Sequence, residues 1–225
     1  MGTASSESVW LRPAKKSRNQ SLDRDQIVAA AVALMDSDGI AGLSMRKLAT
    51  RLDTAPMTLY GYVATKDDVL EYALDGVFAE AAVHAGGRSW RDNLKALSHS
   101  MFEALLRHPW APALLGSKPP IGPGAVDHFS SIVDVLSGAG FRGDSLAAAI
   151  SAVYYYVLGA ATAEAAWLQA GQPFADLSAS KVAELESLHG RDTGTAAQFF
   201  AAHSGGDARQ RFGAGLAVVI GNLKP

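Results

Sequence analysis

The sequence has 225 residues, 48% of them hydrophobic, with a formal net charge of −2 and no cysteine. That is enough apolar material for one or two cored domains, and it excludes a disulfide framework or a thiolate metal site. Polar residues interrupt every apolar run short of about 18 residues, and Met1–Trp10 has no apolar h-region, so neither a membrane span nor a secretory signal is expected and a cytoplasmic protein is. The charge is uneven: residues 1–66 carry nine basic and six acidic residues, a local +3, which leaves −5 on the remainder. A basic end on an acidic body suits contact with a polyanion at that end alone.

Residues 1–19 lack apolar periodicity and hold the basic cluster Arg12 to Arg18, which predicts a flexible arm, either a tether along DNA or a solvated tail. From residue 23 the pattern is helical. Ile27, Ala30, Ala31, Leu34 and Met35 share one face, Asp23 with Gln26 forms a capping box, and Gly39 is a natural stop. A second helix opens at Ser44, with Leu43 and Leu48 as a hydrophobic staple. Leu52-Asp53-Thr54 makes a turn, and Pro56 opens a third helix over Pro56–Tyr62. Thr65 and Asp68 cap a longer helix, Lys66–Ala85, closed by Gly86-Gly87. Amphipathic helices follow at Trp90–Arg107, Ala125–Leu136 and Asp144–Gln169, then weaker ones around Lys181–Leu188 and Ala196–Ala202, and a last one over Asp207–Asn222. No strand, repeat or heptad run is evident; the fold class is all-α.

Three short helices with a tight turn between the second and third follow the helix-turn-helix plan, with Leu48, Ala49, Leu52, Leu59 and Val63 as the inward core. Leu22 to Ala31, Gly39 to Ala49, Pro56 to Val63 and Lys66-Asp67 resemble the head of the TetR family of transcriptional regulators across about 60 residues. His108-Pro109-Trp110, Gly159 with Glu164, and Phe212 to Leu216 resemble that family's C-terminal domain. The resemblance implies a head (20–66) on a connecting helix and a ligand-binding and dimerisation domain (67–222), acting as a homodimer on operator DNA with a small-molecule effector. It implies base reading by Arg46, Met57 and Thr58, and phosphate contacts from Ser44, Tyr60, Tyr62 and Lys66. Tyr60 has a competing reading as core, given less weight for Tyr62. Two positions depart from the family: Ala55 replaces the usual capping Ser, and Gly61 falls inside the expected third helix.

In the body, Met101, Phe102, Trp110, Phe129, Tyr154, Tyr155 and Trp167 fall on helices that line the family's cavity, with ordinary core packing as the alternative for most. His128, Tyr154, Tyr155 and Glu164 are the polar groups expected to orient a ligand. A small-residue strip through Gly159, Ala163 and Ala166–Ala170, with Phe212, Leu216, Val219 and Ile220, is expected to form a four-helix dimer seam. The six histidines show no metal-ligand spacing, and no nucleophile elbow or phosphate loop is present, so neither catalysis nor a metal or cofactor is expected. Two rivals remain: a ligand-blind DNA binder, and an all-α carrier or enzyme with a vestigial head.

Overall fold

The computed structural model describes residues 8–12, 22–82, 89–169 and 207–225, with isolated positions between 184 and 198. The weak helices expected around Lys181–Leu188 and Ala196–Ala202, and the Gly86-Gly87 stop, lie largely or wholly outside the described residues. All regular structure described is helical: α1 (Arg24–Gly42), α2 (Met45–Arg51), α3 (Pro56–Leu59), α4 (Lys66–Glu80), α5 (Trp90–Arg107), α6 (Ala111–Leu115), α7 (Pro123–Gly138), α8 (Gly143–Gln169) and α9 (Ala208–Asn222).

Local chemistry sets the boundaries in the head. Asp23 and Gln26 close a reciprocal capping box at the start of α1 (2.7 and 3.0 Å), satisfying donors that a helix leaves open. Gly39 adopts φ +68°, breaking α1 before a final short turn; a side chain there would be strained. Asp53 is the one described non-glycine residue at positive φ (49°), so it makes the turn between α2 and α3. Pro56 stands at the start of α3, whose preceding residue Ala55 supplies no side-chain cap. α3 is shorter than expected. It ends at Leu59, so Gly61 lies beyond its last helical residue and carries no helix-interior penalty. Ile27, Leu48, Ala49, Leu59 and Val63 are buried together, whereas Leu52 is half-buried.

The body is a bundle in which α4 and α7 pack closely, with α5 against α7 and α8 and α9 against α5 and α8. Gly124 permits that approach, since a Cβ there would lie 2.7 Å from the Asp75 carbonyl oxygen and 2.9 Å from the Ala79 nitrogen. The Asp75 carboxylate accepts from the Gly124 and Ala125 N–H groups (3.1 and 2.9 Å), capping α7 in place of a local cap. The short helix α6 had no counterpart among the expected elements; five residues are too few to show a period.

Two expectations are corrected here. Residues 8–12 are not a free arm: Val9–Leu11 form a 3-10 turn in which Trp10 packs edge-on against Tyr72 (centroids 5.0 Å) and Arg12 pairs with Asp68. An aromatic ring gains more from burial against α4 than from solvent. Also, Gly143–Leu168 is 26 residues long with mean hydropathy 1.5, apolar enough by length and composition to cross a membrane. Its Gly and Ser interruptions are outweighed by Ala, Val, Leu and Ile. One face of it, Ala149, Val153, Val157, Ala161 and Ala165, is core of the bundle.

Candidate nucleic-acid interface and effector cavity

The two short helices of the motif turn a compact set of side chains outward. Ser44 caps α2, its Oγ accepting from the Lys47 N–H (3.2 Å), and remains exposed with its hydroxyl hydrogen free of that bond. Arg46 is exposed and makes no ion pair among the described residues. Met57 is 77% exposed, Thr58 half-buried. Lys66, at the first turn of α4, donates from Nζ to the Ile40 carbonyl (3.4 Å), which draws the ammonium toward the end of α1. The weighting of the tyrosines reverses. Tyr60 is exposed, and Tyr62, expected outside, is buried at 8%. The turn that follows α3, closed by the Tyr62 N–H donating to the Leu59 carbonyl (2.9 Å), brings both side chains into the head's core.

The first turn of α4 is held by Asp68. Its carboxylate accepts from the Ala64 and Thr65 N–H groups (2.9 and 3.3 Å) and from the Thr65 hydroxyl (2.7 Å). Burial opposes its charge, yet these bonds and Arg12 win and keep the carboxyl below its ordinary value.

Head and body meet at a second polar joint. His108 ends α5 because the following Pro109 disfavours helical backbone, and its imidazole turns inward. Nδ1 lies 2.8 Å from the Asp36 Oδ1 of α1, and Nε2 lies 3.2 Å from the Glu80 Oε2 of α4. The Trp110 indole N–H donates to the same Asp36 oxygen (2.7 Å), and Arg107 reaches Glu80 (3.1 Å). Trp110 is therefore a fixed interdomain anchor and not, as expected, a cavity wall.

Inside the body, side chains of α4, α5, α6, α7 and α8 line a narrow apolar cleft that is partly open to solvent. Of the expected lining, Met101, His128, Phe129 and Tyr154 are there. Phe102 instead stacks on Phe212 (3.9 Å, 1° between planes), Tyr155 is 68% exposed outside the cleft with its ring against Tyr154 (centroids 5.6 Å), and Trp167 lies beyond the cleft near the end of α8. Sequence reasoning missed Phe78, Ser98, Leu105, Leu115, Ile132, Val153, Val157 and Leu158. Helical periodicity marks all of these as inward but does not distinguish a cavity wall from solid core.

No charged side chain lines the cleft. Of the polar groups expected to orient a ligand, Glu164 is paired with Arg211 (2.7 Å) and Tyr155 faces away. That leaves His128 and Tyr154. His128 is buried with its Nδ1 lacking any hydrogen-bond partner, and desolvation lowers its pKa to about 4, so the ring is neutral at neutral pH. Burial likewise pushes the Tyr154 hydroxyl up. Phe78 of the connecting helix packs on the α7 wall, with ring centroids 5.9 Å from His128 and 5.6 Å from Phe129.

The seam residues divide. Gly159 and Ala163 are exposed, in line with Tyr155, Thr162 and Ala166 along one stripe of α8. Phe212, Leu216 and Ile220 are buried within their own chain, and Val219 is half-buried. Phe212 is held there by Phe102 and by Tyr156, whose hydroxyl donates to its carbonyl (2.9 Å). The exposed stripe of α9 is instead Ala214, Ala217, Val218 and Gly221, a step of three and four residues around the helix.

Known proteins give this geometry a context. Residues 27–73 match the family described as bacterial regulatory proteins, tetR family, and residues 84–224 match the tetracyclin repressor-like C-terminal domain. An HTH-type transcriptional regulator of Saccharopolyspora erythraea is 46% identical over 161 residues, 71% of this chain and 68% of its own length. A TetR transcriptional regulator of Streptomyces coelicolor superposes with TM-score 0.75 at 31% identity, covering 90% of this chain and 97% of its own. The TetR family protein ActR from the same species, solved in complex with actinorhodin, superposes with TM-score 0.74 at 26% identity over 91% of this chain and 96% of its own. With both halves matched in order, the chain belongs to the TetR family of transcriptional regulators, DNA-binding proteins built from a helix-turn-helix head and a helical ligand-binding domain.

Proposed function

We propose that this regulator is a ligand-responsive repressor, gripping a near-palindromic operator as a two-fold dimer and released by a small, uncharged, largely apolar effector. The observation that carries this reading is the uncharged cleft walled by Phe78 of α4, the helix whose first turn bears the head. A molecule entering the cleft displaces Phe78 and with it α4, changing the separation of the two recognition helices from the roughly 34–36 Å of successive major grooves. The lone acceptor or donor at His128 Nδ1 orients it, because a buried polar atom without a partner gains most from a ligand that supplies one. The cleft counts against a ligand-blind regulator. ActR, bound to actinorhodin in its own structure, supports a body of this shape holding a small molecule.

For the head, Arg46 and Thr58 read bases, Met57 packs on the groove, and Ser44, Tyr60 and Lys66 hold phosphates; Tyr62 contributes its ring to the core, with only its hydroxyl end in reach of DNA. The dimer forms through the apolar stripes Tyr155, Gly159 and Ala163 on α8 and Ala214, Ala217 and Val218 on α9, which pair as four helices and cover an exposed Tyr155 and Val218. Small residues there allow close helix approach. The test is a gel shift of the protein with DNA from upstream of its own gene, alongside light scattering without DNA. Retarded complexes and a dimeric mass are expected; a monomer at micromolar concentration, or no retention of any upstream fragment, contradicts the proposal.

A further inference from the structure

The foot of α4 is acidic for a helix end that is to approach DNA. Its first two turns set Lys66 against Asp67, Asp68 and Glu71. Carboxylates there favour the helix itself, because they face the positive end of its dipole. A phosphate seeks that same end, so each uncompensated carboxylate repels the operator.

Compensation comes from two segments distant in sequence. Lys118, in the loop before α7, places Nζ 3.6 Å from the Asp67 Oδ2 and 3.8 Å from the Glu71 Oε1. Arg12 pairs with Asp68. The chain at 8–12 is held so that Arg12 arrives there. The Ser8 hydroxyl donates to Glu71, and the Val9 N–H donates to the same carboxylate (3.1 Å). Trp10 sits between Tyr72 of α4 and Gly122, where a Cβ would lie 2.7 Å from its ring. Neither cation is placed as a phosphate grip. The Lys118 side chain is only 16% exposed and lies against two carboxylates, and Arg12 spends its guanidinium on a buried one. Stability does not account for the Arg12 pair either: its Nε is buried without a partner, and a desolvated ion pair returns little net stabilisation.

We propose that Arg12 and Lys118 are positioning residues for operator binding: they cancel the carboxylates at the foot of α4 so that a phosphate can reach Lys66, and Trp10 anchors the strap that delivers Arg12. Their role rests on Lys66 gripping the operator, as proposed for the head. The determinants of DNA affinity thereby extend to a lysine of the body and to a segment that precedes the head.

The test is fluorescence anisotropy at constant pH and low salt, on a labelled duplex that the wild-type protein selects from a random pool. That selection tests the operator reading, and the variants, compared on one duplex, test the roles of Arg12 and Lys118. Arg12→Gln and Lys118→Gln should each weaken binding about tenfold, the effect of one uncompensated charge within about 10 Å of a phosphate. Removing the matching carboxylate should restore wild-type affinity, in Arg12→Gln with Asp68→Asn and in Lys118→Gln with Asp67→Asn. Asp67 is half exposed, so the second pair remains informative if Asp68→Asn unfolds the head. Trp10→Ala changes no charge, yet it should weaken binding as much as Arg12→Gln and add nothing to that variant. Double variants as weak as the single ones would overturn the proposal, because removing a carboxylate mends neither a lost phosphate contact nor a loosened fold. Wild-type affinity in Arg12→Gln and Lys118→Gln would overturn it equally.

Discussion

Head and body are made from the same kind of amphipathic helix, but they use it in opposite ways. In the head, α1 to α3 spend their apolar faces on one small core and present the side chains proposed to meet DNA outward, where Ser44, Arg46, Met57 and Tyr60 are all exposed. In the body, the proposed effector surface faces inward, and the outward stripes of α8 and α9 are mostly small residues around Tyr155 and Val218. An outward site tolerates change without loss of fold, whereas an inward one shares every residue with the core. Function and stability should therefore separate cleanly in the head and remain entangled in the body.

Phe78→Ala is the most severe test of that contrast. Phe78 is 2% exposed, and truncating a buried Phe costs about 3–5 kcal/mol. The same change enlarges the cleft, so chemical denaturation should show the loss while bulkier apolar compounds gain affinity. Next is His128. Its folded-state pKa is depressed, so protonation favours the unfolded chain. The stabilisation is whole above about 6.5 and drains as pH falls toward about 4, a loss on the order of 3 kcal/mol from the size of that shift. His128→Phe should flatten the acid limb of stability against pH in that window. Any remaining loss at lower pH is shared by the carboxyls that are also depressed, Asp68 and Glu80 among them.

The head should behave otherwise. Arg46→Ala or Thr58→Ala should cost about 1–3 kcal/mol of discrimination at one base position per half-site, with the melting temperature unmoved. Lys66→Ala should weaken all sequences alike and flatten the salt dependence. If Lys66→Ala changed base preference and the other two did not, the assigned roles would be exchanged. The smallest effect is a gain: Ala55→Ser supplies the cap that α3 lacks and should stabilise the head by about 1 kcal/mol, read as a higher melting temperature.

The same contrast explains what could be read from residues alone. Helix starts and turns in the head depend on neighbours three residues apart, so the Asp23–Gln26 and Thr65–Asp68 boxes, the Ser44 cap and the left-handed Asp53 were all legible. The body's features depend on which distant helix lies opposite. Phe212 and Val218 are both apolar and six residues apart, yet one meets Phe102 and the other meets solvent; only the packing of α9 on α5 and α8 decides that. A step of three and four residues marks Phe78 as buried with Leu74 but does not mark it as a cavity wall. Trp10 was passed over because its partner, Tyr72, lies far along the chain and its own segment has no period.

The central claim is that occupation of the cleft and operator binding oppose each other through α4. Calorimetric titration of an apolar compound that raises the melting temperature, with and without saturating operator duplex, measures this directly. Linkage requires operator to weaken the compound by the factor with which the compound weakens operator, and tenfold release corresponds to about 1.4 kcal/mol of differential affinity. Binding should be weaker in the presence of operator, and variants that fill the cleft should lose it. Equal affinity in both titrations would contradict it.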